Sequence, residues 1–157
     1  MDRFVSTYTM RLDAKGRVSI PAPYRTVLAK DGAEGLYCHP SLAEPALDAG
    51  GNRLVGEIDA LIERYPPYSA DREALAGALY GTSETLRIDP EGRVVLSETL
   101  KAHAGIGAEV AFVGLGHKFR IWEPERLKAH LAEATRKVRE LREAIGSRAP
   151  GPRGGTE

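Results

Sequence analysis

Apolar and polar residues alternate in short bursts in two separate parts of the chain. Met10 and Leu12, then Val18 and Ile20, take every second position on either side of the polar stretch Asp13-Ala14-Lys15-Gly16-Arg17. That period of two predicts two short strands around a turn, a local hairpin. Asp13 can accept hydrogen bonds from turn amides and Gly16 can take a positive φ. Pro21 and Pro23 end the second strand, because proline cannot continue a ladder. Further short strands are expected at 35–38, 109–113 and 118–122, the last two flanking a hairpin loop at 114–117.

Elsewhere the period lengthens. Leu54, Val55, Ile58, Leu61, Ile62 and Tyr65 make one apolar helix face, which Pro66-Pro67 stops. Ser69 can cap a second helix with Leu75, Ala78 and Leu79 inward, and Ser97 a short one with Leu100 and Ala104 inward. A last helix starts near Pro124. Its apolar residues Leu127, Leu131, Ala134, Val138, Leu141 and Ile145 are spaced alternately by 4 and 3, a seam of period near 3.5 that Gly146 can close. The seam reads either as packing on the chain's own core or as a subunit contact. Residues 147–157 are rich in glycine and proline and read as a disordered tail.

The strand–turn–strand motif is duplicated. Thr9 to Ile20 recurs as Thr85 to Leu96, offset by 76 residues without a gap and identical at six of twelve positions. Asp13, Gly16 and Arg17 return as Asp89, Gly92 and Arg93, and Arg11 as Arg87, while Lys15 becomes Glu91.

Composition narrows the class. The chain has 157 residues, 42% hydrophobic and 28% charged, with 22 basic residues balancing 22 acidic ones. That is a globular balance, and two halves of about 75 residues would each be marginal alone. No apolar run is long enough to span a membrane, and the first residues lack a secretory h-region. One cysteine, Cys38, permits neither an internal disulfide framework nor a multi-cysteine zinc site, and reads as a small buried apolar residue. His39, His103, His117 and His130 show no metal-ligand spacing. No phosphate loop, nucleophile elbow or workable catalytic pair is present, so an enzyme is not expected. Trp122 reads as core.

Charge is uneven along this neutral chain. Residues 1–30 carry six basic residues against two acidic, and residues 83–101 three against four. A basic region of this kind can displace counterions from nucleic acid. Two outcomes are open for Arg17. It can be locked to Asp13 as a structural ion pair, or it can project toward a DNA groove. A mixed role joins them: the carboxylate orients a guanidinium whose free donors face phosphate or guanine. Arg136, Lys137, Arg139 and Arg142 read as a solvated face of the last helix.

The residues Leu12-Asp13, Lys15-Gly16-Arg17-Val18-Ser19-Ile20-Pro21 and Tyr24-Arg25 resemble the MraZ family, bacterial transcriptional regulators encoded at the start of the division and cell-wall cluster. The first motif alone is shared with the wider AbrB-type superfamily; the tandem pair in so short a chain is specific, and the likeness covers roughly 4–145. It implies an α+β, mainly β fold in which two tandem AbrB-like swapped-hairpin units form a pseudo-symmetric β-barrel. The divisions would be 4–54 and 83–126 for the two SpoVT-AbrB domains, 55–82 for a helical connector and 127–146 for the C-terminal helix. It further implies a homo-oligomeric ring of eight or twelve subunits and no cofactor. The partner would be double-stranded DNA, at repeats upstream of the protein's own operon, which it would repress. Arg11, Lys15, Arg17, Arg87 and Arg93 are then the DNA-contacting candidates, with Asp13, Gly16, Asp89 and Gly92 shaping the turns. Leu127, Leu131, Val138 and Leu141 are the candidate subunit contacts. Location would be the cytoplasm, in association with the nucleoid, with no membrane partner and no small-molecule substrate. The alternative is an AbrB-fold interaction or assembly module without direct DNA readout. Glu91 and the loosely constrained stretch 41–52 depart from the family pattern.

Overall fold

The structure, a computed structural model, describes residues 2–148. It divides into two compact units, Met1–Pro124 and Glu125–Glu157. In the first unit the elements run β1 (Thr7–Arg11), β2 (Arg17–Ser19), α1 (Ala22–Lys30), β3 (Gly35–Pro40), β4 (Leu47–Gly50), α2 (Asn52–Glu63) and α3 (Ala70–Ala76). A π-helical turn, Gly77–Gly81, follows, then β5 (Glu84–Arg87), β6 (Arg93–Val95), α4 (Glu98–Ala104), β7 (Glu109–Gly114) and β8 (Phe119–Trp122). Helix α5, Pro124–Arg148, starts on the last residue of the first unit and makes up the described part of the second.

The two motif copies do not close on themselves. β1 pairs with β7 and β5 with β3, each antiparallel, while β2 pairs with β6. The expected local hairpins are therefore corrected: each turn joins strands in different sheets, and each motif finds its partners in the other half. Six strands lie in the order β1-β7-β8-β4-β3-β5, and β2 and β6 form a separate ribbon. With two edges, β1 and β5, the sheet is not a closed barrel, which corrects that part of the expected fold. The "mainly β" reading gives way too: more described residues are helical than extended, because α1 was unforeseen and α5 runs to 25 residues.

The sheet order reads alike from either end. β1 answers to β5, β7 to β3 and β8 to β4, with Asp48 of β4 paired in register to Arg120 of β8 at the centre. α1 and α4 begin 76 residues apart, the same offset as the motifs. The duplication seen in twelve residues thus extends over a whole ββαββ unit.

The core holds the half-buried faces together. Val18, Ile20, Val94, Leu96, Leu36, Val110 and Ile121 are all almost fully buried in one cluster, and Phe4, Tyr24, Phe112 and Phe119 bring their rings into edge or tilted contact within it. Tyr24 meets its polar need by donating to the Ser6 carbonyl at 2.6 Å. A smaller cluster of Leu54, Ile58, Ile62 and Leu79 joins α2 to the π-helical turn. Ser69 and Ser97 cap α3 and α4 as expected, accepting from Arg72 N and Leu100 N at 3.2 Å.

Polar residues occupy the middle of the sheet. Asp48, 4% exposed, accepts from Lys118 Nζ at 2.8 Å and Arg120 Nε at 2.6 Å. Burial works to raise its pKa, but the two hydrogen bonds and positive charges outweigh this and hold the carboxyl below its ordinary value.

In α5 the chain passes helically through Gly146 to Arg148, so that glycine does not end the helix. Leu127 is buried, while Leu131, Val138, Leu141 and Ile145 are exposed. Arg136 pairs with Glu133 and Glu140 along the same helix, the spacing at which neighbouring turns meet. Of the tail expected from 147 onward, residues 149–157 lie outside the described residues.

Candidate nucleic-acid interface

The two turns are built alike, atom for atom. In the first, Asp13 Oδ1 accepts from Lys15 N and Arg17 N, both at 2.9 Å, and Oδ2 accepts from Arg17 Nε at 2.6 Å. In the second, Asp89 Oδ1 accepts from Glu91 N at 3.0 Å and Arg93 N at 2.9 Å, and Oδ2 from Arg93 Nε at 2.8 Å. Each turn is closed by a main-chain bond from the aspartate amide to the arginine carbonyl, and by a glycine amide donating to the aspartate carbonyl. Gly16 and Gly92 take φ of +78° and +81°, where a side chain would be strained. The Arg17 amide is the largest influence holding the Asp13 carboxyl below its ordinary pKa, and the Arg93 amide does the same for Asp89. Through its bond to Asp89, Arg93 is held above its ordinary value in turn.

The ribbon then sets both arginines on one face. Arg17 stands opposite Val95, Val18 opposite Val94 and Ser19 opposite Arg93. Val18 and Val94 are each 1% exposed and face the core. Alternation puts Arg17, Ser19, Arg93 and Val95 on the outer face. The two arginines sit diagonally, with Cα atoms about 8 Å apart from strand spacing and rise. Main-chain bonds tie the turns to the opposite strands: Ile20 N donates to Gly92 O at 2.9 Å and Leu96 N to Gly16 O at 3.3 Å. One rigid unit therefore holds both guanidinium groups.

Each arginine uses Nε on its aspartate. The terminal nitrogens of Arg17 have no hydrogen-bond partner among the described residues, and its side chain is 32% exposed. Arg93 has one further, longer contact, Nη2 to Glu91 at 3.4 Å. Lys15 stands exposed at the tip of the first turn. The Lys15-to-Glu91 change thus makes the turns unequal in charge while leaving their main-chain geometry the same.

Two candidates lie apart from this face. Arg11 on edge strand β1 pairs with Glu109, its register partner, at 3.4 Å. Arg87 on the opposite edge strand, β5, is exposed and in register with Gly35. The structure also adds a residue that was not among the candidates. Arg25 of α1 reaches across to the second turn, its Nη1 3.5 Å from the Glu91 carbonyl oxygen and its guanidinium laid on Gly92 so closely that a Cβ there would collide with it. Its counterpart in the duplication, Lys101, is held by Glu98 at 2.8 Å instead. Only the strand exchange between halves shows where Arg25 ends up.

Among the described residues no group of three or more histidine, cysteine or acidic side chains could hold a metal, and no helix is long and apolar enough to cross a membrane. Cys38 is fully buried on β3, and burial pushes its thiol well above the ordinary range, away from nucleophile chemistry.

The transcriptional regulator MraZ of Xanthobacter autotrophicus is 89% identical over 153 residues, 98% of this chain and 98% of that one. The chain belongs to the MraZ family. A second transcriptional regulator MraZ, from Azorhizobium caulinodans, is 78% identical over 147 residues, 94% of each chain. One from Rickettsia bellii is 39% identical over 143 residues, 90% of this chain and 95% of that one. The family model described as "MraZ protein, putative antitoxin-like" matches residues 79–144, which takes in the second turn, β7, β8 and most of α5. The first turn's place in MraZ rests on the relatives, whose matched lengths leave almost none of the chain out. These MraZ relatives are named as regulators of transcription and not as enzymes.

Proposed function

We propose that this MraZ-family chain is a sequence-specific DNA-binding regulator that contacts duplex DNA through the outer face of the β2–β6 ribbon. The observation that carries the reading is the pose of Arg17. Its Nε is anchored on Asp13 at 2.6 Å and its terminal nitrogens are unspent. A guanidinium held in this way has lost its rotamer freedom before it meets DNA, and its outer edge keeps the paired donors that match guanine O6 and N7 or a phosphate. A two-stranded ribbon also fits the major groove, about 12 Å wide. Arg93 offers the same edge with one donor turned to Glu91. Lys15 supplies phosphate contact at the first turn, and Arg11 and Arg87 add contacts from the sheet's edge strands, apart from the ribbon face. The interleaved strand pairing supports reading the halves as tandem AbrB-like swapped hairpins within one chain.

One ribbon reaches few phosphates. At a salt slope of about 0.9 per neutralised phosphate, three or four contacts bind weakly. A homo-oligomeric ring of eight or twelve copies, facing repeats in the DNA, raises the effective concentration of each ribbon and supplies affinity without new contacts. The exposed stripe Leu131, Val138 and Leu141, with Leu127 at its start, supports α5 as a subunit contact. The target is the set of direct repeats upstream of the protein's own operon, which it represses, acting in the cytoplasm at the nucleoid. The test is footprinting of that upstream DNA with native protein. Protection should appear at regularly spaced repeats and weaken when one spacer is lengthened by half a helical turn. Uniform protection regardless of spacing would count against the assembled reader.

A further inference from the structure

A cleft of about 270 Å³ lies on the other side of the sheet's central strands, lined from β4, β8, α2 and the 41–43 loop. One end is rich in hydrogen-bond donors. Asp48 takes one proton of Lys118 Nζ and the Nε proton of Arg120. The remaining ammonium protons and the terminal nitrogens of Arg120 meet no acceptor among the described residues. Ser41, 6% exposed, lines the same cleft, and its Oγ has no hydrogen-bond partner. Native folds rarely leave a buried hydroxyl unpaired without a ligand or water to meet it. The other wall is apolar: Leu54, Ile58 and Leu61 of α2, with Leu42, 60% exposed, at the mouth. Glu57 and His117, 3.8 Å apart, also line it.

Donors at one end and aliphatic wall at the other describe an amphipathic guest. The formal charges of Lys118 and Arg120 are balanced by Asp48 and Glu57, so the guest's head must accept hydrogen bonds and need not be fully ionic. The volume falls just short of the roughly 300–1,000 Å³ of sites for drug-sized ligands, which limits the body to a handful of carbons. We infer that this cleft binds a small molecule with a hydrogen-bond-accepting head, a carboxylate or an amide carbonyl, on a short apolar body. This does not depend on the DNA reading, since none of its residues lies on the β2–β6 ribbon.

The full chain, isotopically labelled, is titrated with hexanoate, hexanamide and hexylamine while backbone amide shifts are followed. Fragments of this size bind in the millimolar range. Hexanoate or hexanamide should move the Ser41 and Leu42 amides saturably, and which of the two binds more tightly identifies the head. Hexylamine should bind more weakly, because the Asp48 and Glu57 oxygens it could reach already face Lys118, Arg120 and His117. Ser41→Ala should weaken binding about fivefold, the worth of one hydrogen bond. Ala43→Phe, at an exposed position of the rim, should abolish it with the melting temperature unchanged. Equal binding of hexylamine, undiminished binding in either variant, or no saturable shift with either acceptor would overturn the inference. So would a fall in native mass on Ala43→Phe, which would show the cleft to be filled by a second copy.

Discussion

At the scale of single residues the aspartate of each turn does the organising. It accepts two main-chain amides and one guanidinium, so one carboxylate fixes both the turn and the arginine that leaves it. Its folded pKa lies below its ordinary 3.8 in both copies. The sign follows: the stabilisation is complete above 3.8 and is lost as pH falls through the lower folded value. Thermal melts in increasingly acid buffer should therefore fall away below pH 3.8. An Asp13→Asn, Asp89→Asn double variant should melt lower at neutral pH and lose less on acidification. An unchanged acid limb in that variant would show that other carboxylates, Asp48 among them, set it. The glycines test the turn from the other side. Gly16→Ala places a Cβ in ordinary contact, 3.9 Å from the Leu96 carbonyl oxygen, so its cost is that of the left-handed backbone alone, about 1–2 kcal/mol by urea unfolding. Gly92→Ala carries the same backbone cost and must also push Arg25 off the turn. These residues were legible in the sequence because the turn chemistry is local: Asp, two residues, Gly, Arg, repeated. The reach of Arg25 was not, since it crosses from one copy to the other.

At the scale of elements, the ribbon is a thin structure with one anchored face. Val18 and Val94 oppose each other directly and are buried, and they secure it to the core. Val94→Ala should cost about 2 kcal/mol, two methyl groups of buried surface plus the cavity left behind. It should also lower DNA affinity if the arginines need a rigid base; stability lost with affinity intact would separate the two roles. Element types were readable wherever a period or a cap was present, as at α2, α3, α4 and the β7–β8 hairpin. They were unreadable where the local signal was weak. α1 starts on Pro21-Ala22-Pro23, which reads as a break, although the Ser97 helix one repeat later forecast it. β4 is four residues, Leu-Asp-Ala-Gly, whose composition argues for a turn; only its burial between β3 and β8 makes it a strand. Strand partners were misread for a physical reason. Sequence proximity favours the hairpin, but burying both copies' apolar faces in one core favours exchange between halves.

At the scale of the whole molecule, duplication gives the first unit an approximate two-fold plan with a cluster of three charged residues at its centre. Asp48 sits there with Lys118 and Arg120, contacts spanning 70 and 72 residues that no local pattern announces. Asp48→Ala should be among the most damaging single changes, about 3 kcal/mol, because it leaves two partly buried cations without their counter-charge. Denaturant melts check this, and a loss below 1 kcal/mol would mean that water replaces the carboxylate without difficulty. Assembly belongs to this scale as well. Leu141→Asp on the exposed stripe of α5 should lower the native mass without unfolding the chain, and an unaltered mass would remove α5 from the interface. The account as a whole turns on the outward edge of one guanidinium. The most direct measurement is fluorescence anisotropy of a labelled duplex from upstream of the gene, titrated with native protein and with Arg17→Ala, native mass being recorded for both. The account predicts equal masses, a loss of at least tenfold in affinity and a shallower salt dependence for Arg17→Ala. Equal affinity and equal salt dependence at equal mass would contradict it.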